Sequence, residues 1–85
     1  MKTGVILYIT GDHGGCDMET IVKKGIKRFS ADRVEIISST SGHWNIDYAW
    51  WNLITKGMHR IVCSIVDVDG SGSAKFSDRS LQLCG

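Results

Sequence analysis

Three short stretches of this chain gather the residue types that hold anions, ligate cations or move protons. Thr10-Gly-Asp-His-Gly-Gly-Cys16 puts a carboxylate, an imidazole and a thiol into a glycine-rich turn. Asp67-Val-Asp-Gly-Ser-Gly72 supplies two carboxylates among glycines, and Ser38-Ser-Thr-Ser-Gly-His43 is a run of short hydrogen-bond donors ending on an imidazole. A glycine-rich turn that feeds a helix can aim backbone N–H groups at an anion, with the helix dipole adding to the attraction. On that chemistry the candidate ligand-binding residues are Gly11, Asp12, His13, Gly14, Gly15 and Cys16, joined by Ser39, Ser41 and His43. Asp12, Asp67 and Asp69 form a set of oxygen ligands suited to magnesium. Cys16 at a helix start could act as a nucleophile beside His13, or be an inert half-buried thiol. A bare strand-to-helix bend needing positive φ would select the same glycines, so turn and site both remain open.

Whether those stretches meet depends on the elements between them. Val5-Ile-Leu-Tyr-Ile9 is a continuous run of β-formers, the pattern of a strand covered on both faces. Met18, Ile21, Val22, Ile26 and Phe29 then make one helical stripe, with Lys23, Lys24, Lys27 and Arg28 opposite and Asp17 placed as the N-cap. Gly25 lies on the buried stripe, where it would let helix and sheet approach closely. Val34-Glu-Ile-Ile37 is a shorter strand whose charge suits an edge. Ile46, Ala49, Trp50, Leu53 and Ile54 predict a second helix that stops at Gly57, and Ile61 to Val66 predict a third strand.

The rhythm β-α-β-α-β implies parallel pairing with right-handed crossovers. The order 2-1-3, shared with flavodoxin-like folds, centres the most apolar strand and places one helix on each face. The expected architecture is therefore a small open three-layer α/β sheet over residues 1–85, with parallel strands near 4–10, 33–38 and 60–67 and helices near 17–29 and 45–57. An antiparallel fourth strand is expected after the Gly-Ser turn, in the segment from Ser73 to Gly85, where Leu81-Gln-Leu83 alternates. In that order the three chemistry-bearing stretches all leave the carboxyl ends of strands, where open parallel sheets bind ligands. The opposite loops offer only Ala31-Asp-Arg33 and Met58-His-Arg60.

Composition narrows the partners. A net charge of +1 with interleaved signs leaves no wide positive field for a nucleic-acid backbone. The apolar run Val5 to Ile9 is far shorter than the roughly 20 residues of a membrane span, and no signal peptide is recognised, so a cytoplasmic chain is expected. Cys16, Cys63 and Cys84 are odd in number and lack CxxC spacing, which favours reduced thiols. Trp44, Tyr48 and Trp51 point away from the buried stripe of the second helix, either beneath the C-terminal segment or into a homodimer contact.

Three likenesses attach to these residues. Asp12 facing Asp67 resembles a response-regulator acidic pocket, although the chain lacks the fifth strand and lysine that complete one. Asp67 to Asp78, DVDGSGSAKFSD, resembles an EF-hand calcium loop, with Asp67, Asp69 and Ser71 at its first, third and fifth positions, Gly72 at the sixth and Asp78 at the twelfth. It departs at Ala74 and at Asp78, where glutamate is usual, and a β-branched segment precedes it. Asp12-His13-Gly14-Gly15 after the first strand resembles the amino-terminal motif of the ribose-5-phosphate isomerase B and galactose-6-phosphate isomerase family. Val34-Glu-Ile-Ile37, Asp47-Tyr48 and Gly70-Ser-Gly72 extend the similarity across roughly residues 4 to 74, the first half of a family domain. The resemblance implies a sugar-phosphate pocket using Asp12 and His13. Where that family has its catalytic cysteine this chain has Asp67 to Asp69, with Cys63 back inside the strand, so the resemblance leaves isomerase activity open.

The functional expectation is a binding domain for a phosphorylated or otherwise anionic small molecule at the carboxyl ends of the strands. The alternatives are an oligomerising domain without a small-molecule site and calcium binding through Asp67 to Asp78.

Overall fold

The computed structural model describes residues 1–11, 17–38, 46–68 and 73–77. Its elements run β1 (Thr3–Gly11), α1 (Met18–Phe29), β2 (Arg33–Ser38), α2 (Ile46–Thr55), β3 (Arg60–Val68) and β4 (Ala74–Ser77). The sheet order is β2-β1-β3-β4, with β1 parallel to both neighbours and β4 antiparallel to β3. The expected order 2-1-3 and the expected antiparallel fourth strand are both present. The fourth strand occupies Ala74–Ser77; Leu81-Gln-Leu83 lies outside the described residues.

β1 is central because its side chains are apolar in both directions. Val5, Leu7 and Ile9 point to one face and pack with Ile21 of α1 and with Val66 and Val68 of β3. Ile6 points to the other and packs with Ala49 and Leu53 of α2, Ile37 of β2 and Cys63 of β3. Each of these residues except Ile37, Ala49 and Cys63 is 2% exposed or less, and those three are nearly as buried. A strand with water on one face could not carry that run without exposing alternate side chains, so a helix must cover each side.

The helix ends follow local chemistry. Asp17 has extended backbone and its carboxylate accepts the Glu19 N–H at 3.3 Å, capping α1 as its position predicts. Ser30 closes the helix in the left-handed region at φ 50°, and Gly57 follows α2 at φ 81°, a conformation that glycine adopts without strain. Close approach explains two other glycines. A Cβ on Gly25 would sit 3.0 Å from Leu7 Cδ1, and one on Gly4 would sit 2.8 Å from Leu53 Cδ2 and 2.9 Å from Met58 Cγ.

Three side chains depart from the expected helix stripes. Ile26 is 41% exposed and Ile54 is 42% exposed, while Trp50 is only half-buried. Both helices lie mainly over β1 and β2, so a stripe as wide as the pattern implies finds too little sheet beneath its margins. Tyr48 and Trp51 are exposed, as their positions on the outer side of α2 predict. Trp44 lies outside the described residues.

Because Leu53 is fully buried, Leu53→Ala should lower stability by about 2–5 kcal/mol. Trp51→Ala should cost about 0.5 kcal/mol or less. Urea unfolding of the two variants checks the pair, and a larger loss for Trp51 would misplace the buried side of α2.

Candidate functional site

Register places the strand ends that lead into two of the three candidate stretches side by side. Gly11 is the last residue of β1 and pairs with Val68, the last residue of β3, and Thr10 pairs with Asp67. The chain therefore leaves β1 and β3 at adjacent points on one end of the sheet. β2 ends on the same end, two rungs earlier along β1, at Ser38 opposite Ile9. Between β1 and β3 the strand order reverses, since α1 leads to β2 on one side of β1 and α2 leads to β3 on the other. That is the place where an open parallel sheet offers a crevice.

Of the candidate site residues, Gly11 and Asp67 are described; Asp12, His13, Gly14, Gly15, Cys16, Ser39, Ser41, His43 and Asp69 lie outside the described residues. Asp67 is exposed near the carboxyl end of β3. In a ladder, paired residues share a face, so Asp67 and Lys75 share one rung on the α2 side of the sheet. Lys75 is directly across from Asp67 in the antiparallel β3-β4 pair and is also exposed. Side chains so placed have Cβ atoms roughly 4.5–5.5 Å apart, close enough for the ammonium to temper the field of the carboxylate. Lys75 is the addition that the pattern of β1, β2 and β3 alone did not single out. Its signal was available only once Ala74–Ser77 was known to fold back on β3.

The same hairpin bears on the calcium loop. A calcium hand needs a helix before its first ligand, whereas Arg60–Val68 is a strand that contains Asp67, and Ala74 pairs with Val68. Among the described residues no three His, Cys, Asp or Glu side chains gather into a metal site.

The amino ends of the strands contrast with this. There Asp32 takes up the start of β1: its carboxylate accepts the Thr3 N–H at 2.8 Å, and its own N–H donates to the Thr3 carbonyl at 2.7 Å. The Lys2 carbonyl accepts the N–H groups of His59 and Arg60. Polar groups at that end are spent on joining strands to turns.

Cys63 does not replace a catalytic thiol. It lies in the middle of β3 under α2, 6% exposed, and burial pushes its pKa above the ordinary 9.0 by disfavouring the thiolate. Among the described residues no helix is long and apolar enough to cross a membrane.

No family model matches the chain, and neither a curated protein nor a solved structure does.

The thiol supplies a test of the buried β3. A raised folded-state pKa means that the neutral thiol favours the native state fully below the unfolded value of 9.0, and that this contribution is lost as pH rises through the higher folded value. In a Cys16→Ser/Cys84→Ser protein, Cys63 should react with a chromogenic disulfide at least tenfold more slowly when folded than in urea. Rapid reaction in the native protein would place Cys63 at the surface.

Proposed function

We propose that this chain binds a phosphorylated or otherwise anionic small molecule at the carboxyl end of its sheet, between β1 and β3. The observation that carries the reading is the pairing of Gly11 with Val68, which starts the glycine-rich loop and the second acidic loop from neighbouring points at the reversal of strand order. In this reading the fold is flavodoxin-like in its use as well as its order. The backbone of residues 11–16, with Asp12, His13 and Cys16, receives the anion, and Ser39, Ser41 and His43 reach it from the loop after β2. Lys75 adds a positive charge on the same end of the sheet, beside Asp67. Magnesium, held by Asp12, Asp67 and Asp69, would bridge to a phosphate where it takes part. The ligand class agrees with the sugar-phosphate pocket that the Asp12-His13-Gly14-Gly15 resemblance implies. The chain works among small solutes of the cytoplasm in this reading, with no nucleic acid or membrane as partner.

A second reading has its own observation. Tyr48 and Trp51 are each 63% exposed on α2, whereas the outer side of α1 carries lysines and arginine. Large aromatic side chains left in water favour an interaction surface. The Trp44, Tyr48 and Trp51 side would then join two copies of the chain, and the glycine loop would be a bend.

Amide shifts separate the two. Inorganic phosphate and a pentose phosphate, each titrated with and without magnesium, should move the amides of Gly11 to Cys16 in a saturable way, and Asp67→Asn should weaken the magnesium-dependent part by about threefold to thirtyfold. Unmoved Gly11 to Cys16 amides would remove the anion reading. Saturable calcium binding below about 0.1 mM would favour the loop from Asp67 to Asp78 as a cation site instead.

A further inference from the structure

The outer edge of β2 faces no other strand among the described residues. Its hydrogen-bonding direction follows from the register: the Thr3 carbonyl of β1 turns toward β2, where it accepts the Asp32 N–H, and Gly4 pairs with Arg33. Alternation along the strand then turns the N–H and C=O groups of Arg33, Glu35 and Ile37 toward β1, and those of Val34 and Ile36 away from it. An open edge invites pairing, and natural sheets commonly block theirs with charge. Here the charges are of both signs, with Arg33 Nε donating to Glu35 Oε1 at 3.2 Å along the strand.

That arrangement is self-complementary. We infer that β2 pairs antiparallel with β2 of a second copy about a two-fold axis at Val34, joining two sheets into one. With the axis at Val34, Arg33 of each copy lies directly across from Glu35 of the other, on either side of a Val34 pair whose outward-facing backbone groups can exchange two hydrogen bonds. Moving the axis to Glu35 would place two carboxylates opposite each other, which is destabilising. Moving it to Ile36 would bring the two carboxylates into diagonal contact and leave Arg33 without a carboxylate across from it. The charge pattern thus selects one register of the even-spaced choices.

Apolar exposure beside the edge agrees with a second copy as the occupant. Ile36 of β2 is 37% exposed on the α1 side, and in this register it reaches Val34 of the other copy diagonally. Ile26 of α1 is 41% exposed on the same side of the sheet. On the other side, α2 packs over β2 and β1 while exposing Tyr48, Trp51 and Ile54. Six residues of edge bury little area by themselves, so a reversible dimer held at micromolar or weaker affinity is the expected product. This goes beyond the anion-binding reading and is independent of it, because the edge lies on the far side of β1 from the β1-β3 crevice.

Sedimentation equilibrium from micromolar to near-millimolar protein, combined with amide exchange, tests the pairing. The wild-type chain should dimerise reversibly, and the Val34 and Ile36 amides should gain protection as concentration rises. Arg33→Glu should weaken the dimer about tenfold, because both symmetry-related pairs become repulsive. Arg33→Glu/Glu35→Arg should restore it, and circular dichroism of the variants should match the wild type. Ile36→Lys should weaken it without loss of fold. A strict monomer at every concentration overturns the inference. So does a dimer indifferent to Arg33→Glu but lost in Tyr48→Ser/Trp51→Ser, which would put the contact on α2. Protection of the Val34 and Ile36 amides at all concentrations would also overturn it, since the edge would then be covered within one chain. Phosphate binding at residues 11–16 would be unaffected by any of these results.

Discussion

Burial of β1 on both faces and pairing on both edges is the constraint from which the rest of the molecule follows. Val5, Leu7 and Ile9 require a cover on one side and Ile6 requires one on the other. α1 and α2 are those covers. Parallel neighbours on both edges follow as well, because each strand reaches its place through a helix that must cross a face of the sheet. A polar substitution in the middle of β1 would therefore strike the centre of one core cluster or the other according to its face, whereas one in β2 or β4 would touch a margin.

The approach of the helices is set by what is missing as much as by what is present. Gly25 lets α1 settle onto Leu7, and Gly4 leaves room for Leu53 and Met58 beneath α2. Helix propensity lost at Gly25, about 1 kcal/mol, is offset by closer contact along β1. Ser64 shows how a polar group is accommodated in so small a core: it is 1% exposed and its hydroxyl donates to the Ser77 carbonyl at 3.2 Å, tying β3 to β4. The two edges of the sheet are consequently unlike. One is formed by the short β4 with its serine bond, with Phe76 packed edge-on against Phe29 of α1; the other is β2, which carries Arg33 and Glu35.

The ends of the sheet are unlike too. At the amino ends, carboxylate and carbonyl groups join strands to turns through Asp32, Thr3 and Lys2. At the carboxyl ends, β1 and β3 finish side by side with Asp67 and Lys75 on a shared rung. Open parallel sheets in general take ligands outside the carboxyl ends of their strands, which is the end the proposed anion site uses. The outer surfaces of the helices differ as well, charged on α1 and aromatic on α2.

By itself the sequence determined the elements and their order in space. Strand runs of β-branched residues, the Asp17 cap, the stop at Gly57 and the doubly apolar β1 are local or single-strand properties, and each depends on residues within a few positions of one another. The candidate loops were legible for the same reason: Gly, Asp, His and Ser cluster visibly where apolar runs end. What only the tertiary structure decided was where the covers stop. Ile26 and Ile54 satisfy a helical stripe but lie partly in water, because the width of sheet under a helix is a property of the assembled layers and leaves no periodic trace. Lys75 beside Asp67 and Arg33 on a free edge were likewise invisible before pairing was known, since register between strands is set by packing across the whole sheet, and a shift of one residue would have turned each of those side chains to the opposite face.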